Sequence, residues 1–424
     1  MKITYPVCCG IDVHKTFLVA TIVKTDPASL LPTYSRKRFS THSREIQALK
    51  RWLLENNCKD ICMESTGKYW IPVMNILEDA INVTIANPKW VSAVKGNKDD
   101  KKDSKWIGDL FRMGLVPGSF IPSKDIRILR EFTRYRYKLV AIRAGEKNRF
   151  QNAFTVCNLT LDSVLTSMFG VSAASIIDYL LKTDNIDPAC CVSLLRGRAK
   201  AKADAVKLAV EGFAMSNEQK IRVNVIQQHF TMIDRLIATL DQEINRLIVP
   251  YEPQLALLCS IPGVDRSTAV TIISEIGTDM DQFGSSKRLC SWAGLTPGNN
   301  ESAGKKKSVR ISRAGAYLKP ALVEAAIAAA KCTSSPYFHI KFERIANRRG
   351  KKRARIAIAR MILTAVFHML KTGEIFNPSD LKSIDVSPDV VKNLNLISAK
   401  KAEAILVSFG LLQENSISFD ALTG

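Results

Sequence analysis

VCCGIDVHKTFLVATIV, residues 7–23, decides the fold of the first third of this chain. Residues 7–12 and 17–23 are apolar, β-branched runs of strand length, and the short polar turn between them reads as a hairpin. A third, more alternating run at 34–39 makes a three-strand meander. Working outward, Ser43 is placed to cap a helix in REIQALKRWLLENN, where Ile46, Leu49, Trp52 and Leu53 share one face. A strand at 61–63, a helix over 69–77, a strand at 83–86 and a helix opening at Asn87-Pro88 follow.

The order βββαβαβα is that of the ribonuclease-H-like α/β fold, here assigned to residues 1–124. Asp12 closes the first strand and Glu64 the fourth, so neighbouring positions for those strands would put both carboxylates at one edge of the sheet. GNKDDKKDSKWIGDL, residues 96–110, holds Asp99, Asp100, Asp103 and Asp109 among four lysines. A helix over 100–110 puts Asp100 and Asp103 on one face, but Asp99 and Asp103 share a face equally well, so spacing leaves the register open. Such a run also suits a plain solvated helix face. Two carboxylates about 4 Å apart repel by roughly 4 kcal/mol at an effective dielectric near 20, a cost that a divalent ion removes. Hard oxygen ligands select Mg²⁺ or Mn²⁺, the ions of phosphodiester chemistry. His14, two residues past Asp12, reads as structural.

Charge points the same way. Lys and Arg number 61 against 40 Asp and Glu, and a net charge of +21 suits a polyanionic partner, nucleic acid ahead of an anionic membrane surface. At 424 residues the chain fills two or three domain cores. The start, MKITYPVCCG, has no apolar signal region and no apolar run approaches a membrane span, so a soluble, cytoplasmic protein without a membrane partner is expected. Ten cysteines without CxxC pairs or zinc-type histidine spacing imply reduced thiols.

Residues 125–250 read as a helical, coiled-coil middle. A basic helix over 128–150, with Arg130, Arg134, Arg136 and Arg143, carries the charge that could lie along a phosphate backbone. Ile226, Phe230, Ile233, Ile237, Leu240, Ile244 and Leu247 form a heptad seam that stops before Pro250. That seam needs a partner helix, from the same chain or from a second copy; oligomerisation is the favoured reading. Residues 160–215 form a small helical insertion carrying no recognisable chemistry.

Residues 251–378 read as a mainly helical domain. LCSIPGVDRSTAVTIISEIG, 258–277, has the pattern of a helix-hairpin-helix whose turn at Gly263 offers backbone N–H groups to a phosphate. AGLTPGNNESAGKKKSVRISRAG, 293–315, reads as a mobile polar loop with Ser302 beside Lys305, Lys306, Lys307, Arg310 and Arg313. A serine among cations suits attack on a phosphodiester, although serines in polar loops are mostly turn formers. Arg348, Arg349, Lys351, Lys352 and Arg353 precede an apolar helix and read as a nucleic-acid contact. Residues 379–424, with the amphipathic AKKAEAILVSFGLL, form a C-terminal extension.

Taken together, GIDVHK (10–15), MESTGKYW (63–70), Asn87-Pro88, DDKKDSKWIGDL (99–110), IPGV (261–264) and AGLTPG with ES and RISRAG (293–315) are specific. They resemble the DEDD insertion-sequence transposases, the family numbered one hundred and ten. That family includes bridge-RNA-guided recombinases and is similar to the pilin-gene inverting recombinases. The resemblance covers about 1–120 and 250–378. It implies that Asp12, Glu64, Asp100 and Asp103 are the metal-binding set of a RuvC-like domain, against Asp99, and that Ser302 is a nucleophile forming a phosphoserine link to DNA. It further implies a composite centre of metal site and serine, domain exchange across a homodimer, tetramers joining donor and target DNA, and a structured non-coding bridge RNA as guide. The setting it implies is the prokaryotic cytoplasm, in association with the nucleoid. The long spacer and residues 379–424 depart from the family pattern. The competing readings are a RuvC-like structure-selective nuclease that uses water, an actin-like sugar kinase suggested by GIDVHKT, and a non-catalytic RNA-binding protein.

Overall fold

The structure, a computed structural model, describes residues 3–64, 67–91, 100–298, 300–302, 305–308, 310–332, 335–378 and 380, with isolated positions at 400, 403, 404 and 407. For 89, 90, 100–102, 300–302 and 305–308 it describes the backbone alone. The chain divides into two units, Met1–Lys124 and Asp125–Gly424.

The hydrophobic runs around Asp12 become β1 (Val7–Val13) and β2 (Phe17–Thr25), and β3 (Pro32–Ser40) completes the meander. Then come α1 (Ser43–Glu55), β4 (Asp60–Glu64), α2 (Trp70–Leu77), β5 (Asn82–Ala86), α3 (Pro88–Val91) and α4 (Asp100–Arg112). His42, not Ser43, takes the cap of α1, and its side chain makes no cap bond. The sheet order is β3-β2-β1-β4-β5, with β1 antiparallel to β2 and parallel to β4. Together the five-stranded sheet and its helices give a mixed α/β unit of the kind expected.

Strand alternation sorts the core onto two faces. On one face Cys9, Ile11 and Val13 of β1 join Ile61 and Met63 of β4 beneath Leu49 and Leu53 of α1 and Val73 and Leu77 of α2. On the other, Cys8, Val23, Cys62 and Ala86 pack beneath Ile107 and Phe111 of α4. Each such fully buried Ile, Leu or Phe side chain contributes about 1.5–3 kcal/mol of transfer free energy, so both faces of the sheet are secured by helices.

The second unit is mainly helical. It begins with α5 (Lys124–Val156), continues through α6 (Leu161–Val164), α7 (Val171–Lys182), α8 (Pro188–Ser193) and α9 (Ala203–Val210), and returns along α10 (Asn217–Ile248). The heptad seam of α10 finds its partner inside the chain. Leu139 of α5 packs with Ile233 and Ile237, and the pairs Arg136–Asp241, Arg143–Asp234 and Glu146–His229 run in opposite senses along the two helices. They therefore form an antiparallel intrachain hairpin, the alternative that the sequence reading ranked second to pairing with another copy. On the basic face of α5, Arg136 and Arg143 are bonded to Asp241 and Asp234 across the hairpin, and Arg149 to Glu146 of its own helix.

Residues 157–216 pack with the end of α5 and the start of α10 in one small core, where Phe154, Leu161, Ile176, Ile177, Leu180, Val206 and Val223 are buried. Beyond α10 lie α11 (Glu252–Cys259), α12 (Arg266–Ile276), α13 (Ser286–Trp292), strands β6 (Asn300–Ser302) and β7 (Lys305–Ser308), α14 (Leu318–Lys331), α15 (Tyr337–Arg349) and α16 (Lys351–Thr372). No helix among the described residues is long and apolar enough to cross a membrane.

Candidate active site

The carboxylate site rests on three local facts of sequence. First, Ile11 pairs with Met63 across the parallel β1–β4 ladder, so Asp12 and Glu64 follow side by side at the carboxyl ends of neighbouring strands. Second, even-numbered residues of both strands face α4, as Cys8 and Cys62 do, and alternation puts Asp12 and Glu64 on that same face. Third, α4 lies directly on β1, because glycine stands on both sides of the crossing. A Cβ on Gly10 would fall 2.2 Å from the Ser104 carbonyl oxygen and 2.3 Å from the Gly108 nitrogen, both backbone atoms.

The crossing has a direction. The Cys8 thiol reaches the Gly108 carbonyl, Gly10 meets Ser104, and Ser104 shares a 2.8 Å hydroxyl hydrogen bond with Thr21, the residue paired with Gly10. Two residues forward along β1, about 6.6 Å, correspond to four residues back along α4, about 6 Å. One further step brings the helix position of Asp100 level with Asp12. Asp103, one turn on, is half-buried. The side chain of Asp100 and all of Asp99 lie outside the described residues.

Asp12 is 8% exposed and accepts a 3.0 Å hydrogen bond on Oδ2 from His14 Nε2. The His14 ring in turn lies 4.5 Å from that of Phe17. His14 is therefore an orienting partner of Asp12, a part its sequence position alone does not reveal. Asp109, the remaining acid of the run, faces elsewhere: its Oδ1 accepts from the Tyr34 hydroxyl at 2.9 Å and lies 3.4 Å from Arg112. Burial and this bond to Asp109 push the Tyr34 phenol up to about 12. Among the described residues no three His, Cys, Asp or Glu side chains close around a single point. What Asp12, Glu64 and Asp103 supply is hard oxygen, the donor chemistry of magnesium-type cations.

Ser302 belongs to the second unit, and its surroundings differ from expectation. The stretch read as a mobile loop is a two-stranded hairpin in which Ser302 pairs with Lys305 and Glu301 with Lys306. At its neck Pro297 bridges Ile311, and the Gly298 N–H donates to the Arg310 carbonyl at 3.1 Å. Gly315, at φ +68°, closes the neck, since a Cβ there would sit 2.3 Å from the Ala293 carbonyl oxygen. Lys319 Nζ donates to the Ser312 carbonyl at 2.7 Å, and burial pulls its ammonium below the usual range. The side chains of Ser302, Lys305, Lys306 and Lys307 lie outside the described residues, while Arg310 and Arg313 are exposed.

Gly263 adopts φ +84° in the turn between α11 and α12, and a Cβ there would fall 2.4 Å from the Ala325 carbonyl oxygen and 2.5 Å from the Ala329 nitrogen. Close packing on α14 thus requires glycine whatever the turn binds. Arg348, Arg349, Lys351, Lys352 and Arg353 are all exposed at the α15–α16 junction.

A constellation absent from the sequence reading ties α5 to α12. Arg134 grips the 3% exposed Glu275 with two hydrogen bonds of 2.6 and 2.8 Å. Arg130 Nε donates to the Ser274 carbonyl at 3.0 Å. Desolvation pulls the Arg130 guanidinium down to about 10. No sequence spacing signals contacts that bridge some 140 residues; a glutamate within the apolar run TIISEI is the one hint.

The α/β unit thus sets Asp12 and Glu64 at neighbouring parallel strand ends beneath α4, and the comparisons with known proteins give the class. The family model of the IS110-type DEDD transposase matches residues 9–158, and that of the transposase IS116/IS110/IS902 family matches residues 255–343. The chain is 22% identical over 333 residues to the transposase for insertion sequence element IS1111A of Coxiella burnetii (strain RSA 493 / Nine Mile phase I), covering 74% of this chain and 79% of that protein. This chain belongs to the IS110 family of transposases, and is an enzyme that cleaves and rejoins DNA.

Proposed function

We propose that this transposase recombines DNA through a metal-assisted phosphoserine intermediate, with Asp12, Glu64, Asp100 and Asp103 as cation ligands and Ser302 as nucleophile. The observation that carries the metal half is the in-register pairing that sets Asp12 beside Glu64 on the face covered by α4. The helix arithmetic favours Asp100 over Asp99 for the remaining position. Mg²⁺ or Mn²⁺ held there would neutralise the gathered carboxylates and polarise a phosphate oxygen. His14 holds Asp12 in one orientation through the 3.0 Å bond, which prepares the carboxylate as a ligand.

On the serine side, Ser302 Oγ forms a bond to phosphorus as one phosphorus–deoxyribose oxygen bond breaks; the hydroxyl proton leaves with the departing oxygen or to solvent. The reverse attack by a DNA hydroxyl frees Ser302, so bond energy is conserved and no water enters. Lys305, Lys306, Lys307, Arg310 and Arg313 would offset the charge at the attacked phosphate.

Arg348, Arg349, Lys351, Lys352 and Arg353 bind phosphate backbone in this reading, and a physical argument supports it. Lys351, Lys352 and Arg353 stand in the first turn of α16, which holds no acidic residue. Cations there oppose the helix dipole at a cost of about 0.3–1 kcal/mol each, so stability does not account for them. The turn at Gly263, in a helix-hairpin-helix arrangement, would add backbone N–H contacts to phosphate. A structured bridge RNA, donor and target DNA, and a homodimer assembling to a tetramer complete the proposal, with action at the prokaryotic nucleoid.

The decisive test is a nicked suicide DNA duplex incubated with Mg²⁺ and resolved on a denaturing gel. The parent enzyme should give a protein-linked strand, Ser302→Ala none, and Asp12→Asn at most a thousandth of the parent yield with an unchanged thermal melt. Hydrolysed ends and undiminished cutting by Ser302→Ala would instead establish the water-using nuclease.

A further inference from the structure

The second unit contains a cavity of about 1430 Å³ between α15, α16 and the neck of the serine hairpin. Ile345, Ile356, Met361, Ala365 and Ile375 line its floor, and Arg349, Lys352 and Arg353 stand on its rim. Small-molecule pockets run to about 300–1,000 Å³ and carry converging polar groups, so this groove is too large and too aliphatic for one. A single nucleic-acid strand asks for exposed rings on which bases stack. Here Tyr337 and Phe338 are 7% and 1% exposed, and Phe376 packs against both, so these rings are taken up by one another. An aliphatic trough beside long helices is instead the shape that receives the apolar face of another helix.

The chain itself supplies one at the right place. Phe376 stacks on Phe338 with ring centroids 5.4 Å apart. Asp380 accepts hydrogen bonds from the Tyr337 hydroxyl at 2.7 Å and from Lys341. All five residues line the groove, so the described chain reaches Asp380 on its wall. Residues 381–424 have five acidic and four basic side chains in a chain of net charge +21, so they meet the cationic rim without repulsion. Ala402, Ile405, Leu406, Phe409 and Leu412 recur at helical spacing in one apolar stripe. A helix over 398–412 would be about 22 Å long. The preceding residues 381–397 can span up to about 56 Å when extended, ample for a return.

We propose that residues 398–412 dock as an amphipathic helix in the α15–α16 groove of their own chain, with Asp380 anchoring the departing strand. The proposal is independent of the phosphoserine chemistry. Its test places a benzoylphenylalanine photocrosslinker at Met361 in the full-length chain, mixes isotopically light and heavy copies, and maps crosslinked peptides by mass spectrometry. Crosslinks to residues 398–412 within one copy are expected. Phe409→Asp, a change outside the described core, should cut their yield at least fivefold, and Asp380→Lys should cut it less. Crosslinks between copies, to an added single-stranded oligonucleotide or to no peptide of residues 381–424, or a yield indifferent to Phe409→Asp, would overturn it.

Discussion

The two units close their long-range contacts with opposite materials. In the first, α4 meets β1 backbone to backbone, because Gly10 and Gly108 leave no side chain between them. In the second, α5 meets α10 and α12 through arginines reaching to Asp241, Asp234 and Glu275. A glycine crossing tolerates no added atom, whereas an arginine on a long stem adapts and is partly solvated. The carboxylate site therefore sits on the rigid kind of joint, where ligand positions must hold to fractions of an ångström, and the spacer is built from the forgiving kind.

Breaking the rigid joint should have the largest effect. Gly10→Val drives a side chain into the Ser104 and Gly108 backbone, where neither neighbour has a flexible end to move. A loss above about 3 kcal/mol is expected, enough to unfold the first unit. Limited proteolysis should then cut within residues 3–124 and spare 125–378; a parent-like melt would refute the backbone contact. Glu275→Ala should come next. It strands Arg134 and removes a buried carboxylate, at about 3 kcal/mol, the lower end for a broken buried pair because the Arg134 side chain is 38% exposed. The urea midpoint reads this loss, and Glu275→Gln should restore part of it.

Alkaline pH should separate the units more gently. Burial pushes the Cys58 and Cys62 thiols from 9.0 up to about 12, and Cys8 higher still. A raised folded pKa means that the unfolded chain releases its protons first. Stability is thus fully present below about pH 9 and falls as pH rises from 9 towards 12. The urea midpoint of the first unit should drop between pH 8 and 10. Cys8, Cys58 and Cys62 should resist alkylation at pH 8 while exposed Cys190 reacts. The smallest effect belongs to the hairpin: Arg143→Ala breaks one partly exposed ion pair and should cost about 0.5 kcal/mol by urea midpoint. A larger loss would mean that this joint is less forgiving than its solvation implies.

Much of this architecture was legible in residue order. The runs around Asp12 and the helical stripe of Ile46, Leu49 and Leu53 report burial directly, because each strand or helix shows its core face at its own period. Asp12 and Glu64 were legible as strand-end carboxylates for the same reason. What His14 touches was not, since one ring near one carboxylate has no periodic signature. The partners of the α5 arginines were not legible either: a cation looks the same in sequence whether it faces a phosphate or Asp241. Ser302 was expected in a loop because Gly, Asn and Ser dominate the stretch, yet the neck joined by Pro297 and Ile311 brings the flanking residues into register as β6 and β7.

By itself, the sequence determined the α/β character of the first third, the helical remainder, the basic charge and the chemical types available for catalysis. These follow from local periodicity and composition, which act over a few residues. Only the tertiary structure decided that α10 pairs with α5 of its own chain, that Gly10 and Gly108 draw an acidic helix onto the strand ends, and that Glu275 takes Arg134. Such choices depend on which distant surfaces meet, and the free energy of that meeting belongs to the packed chain as a whole.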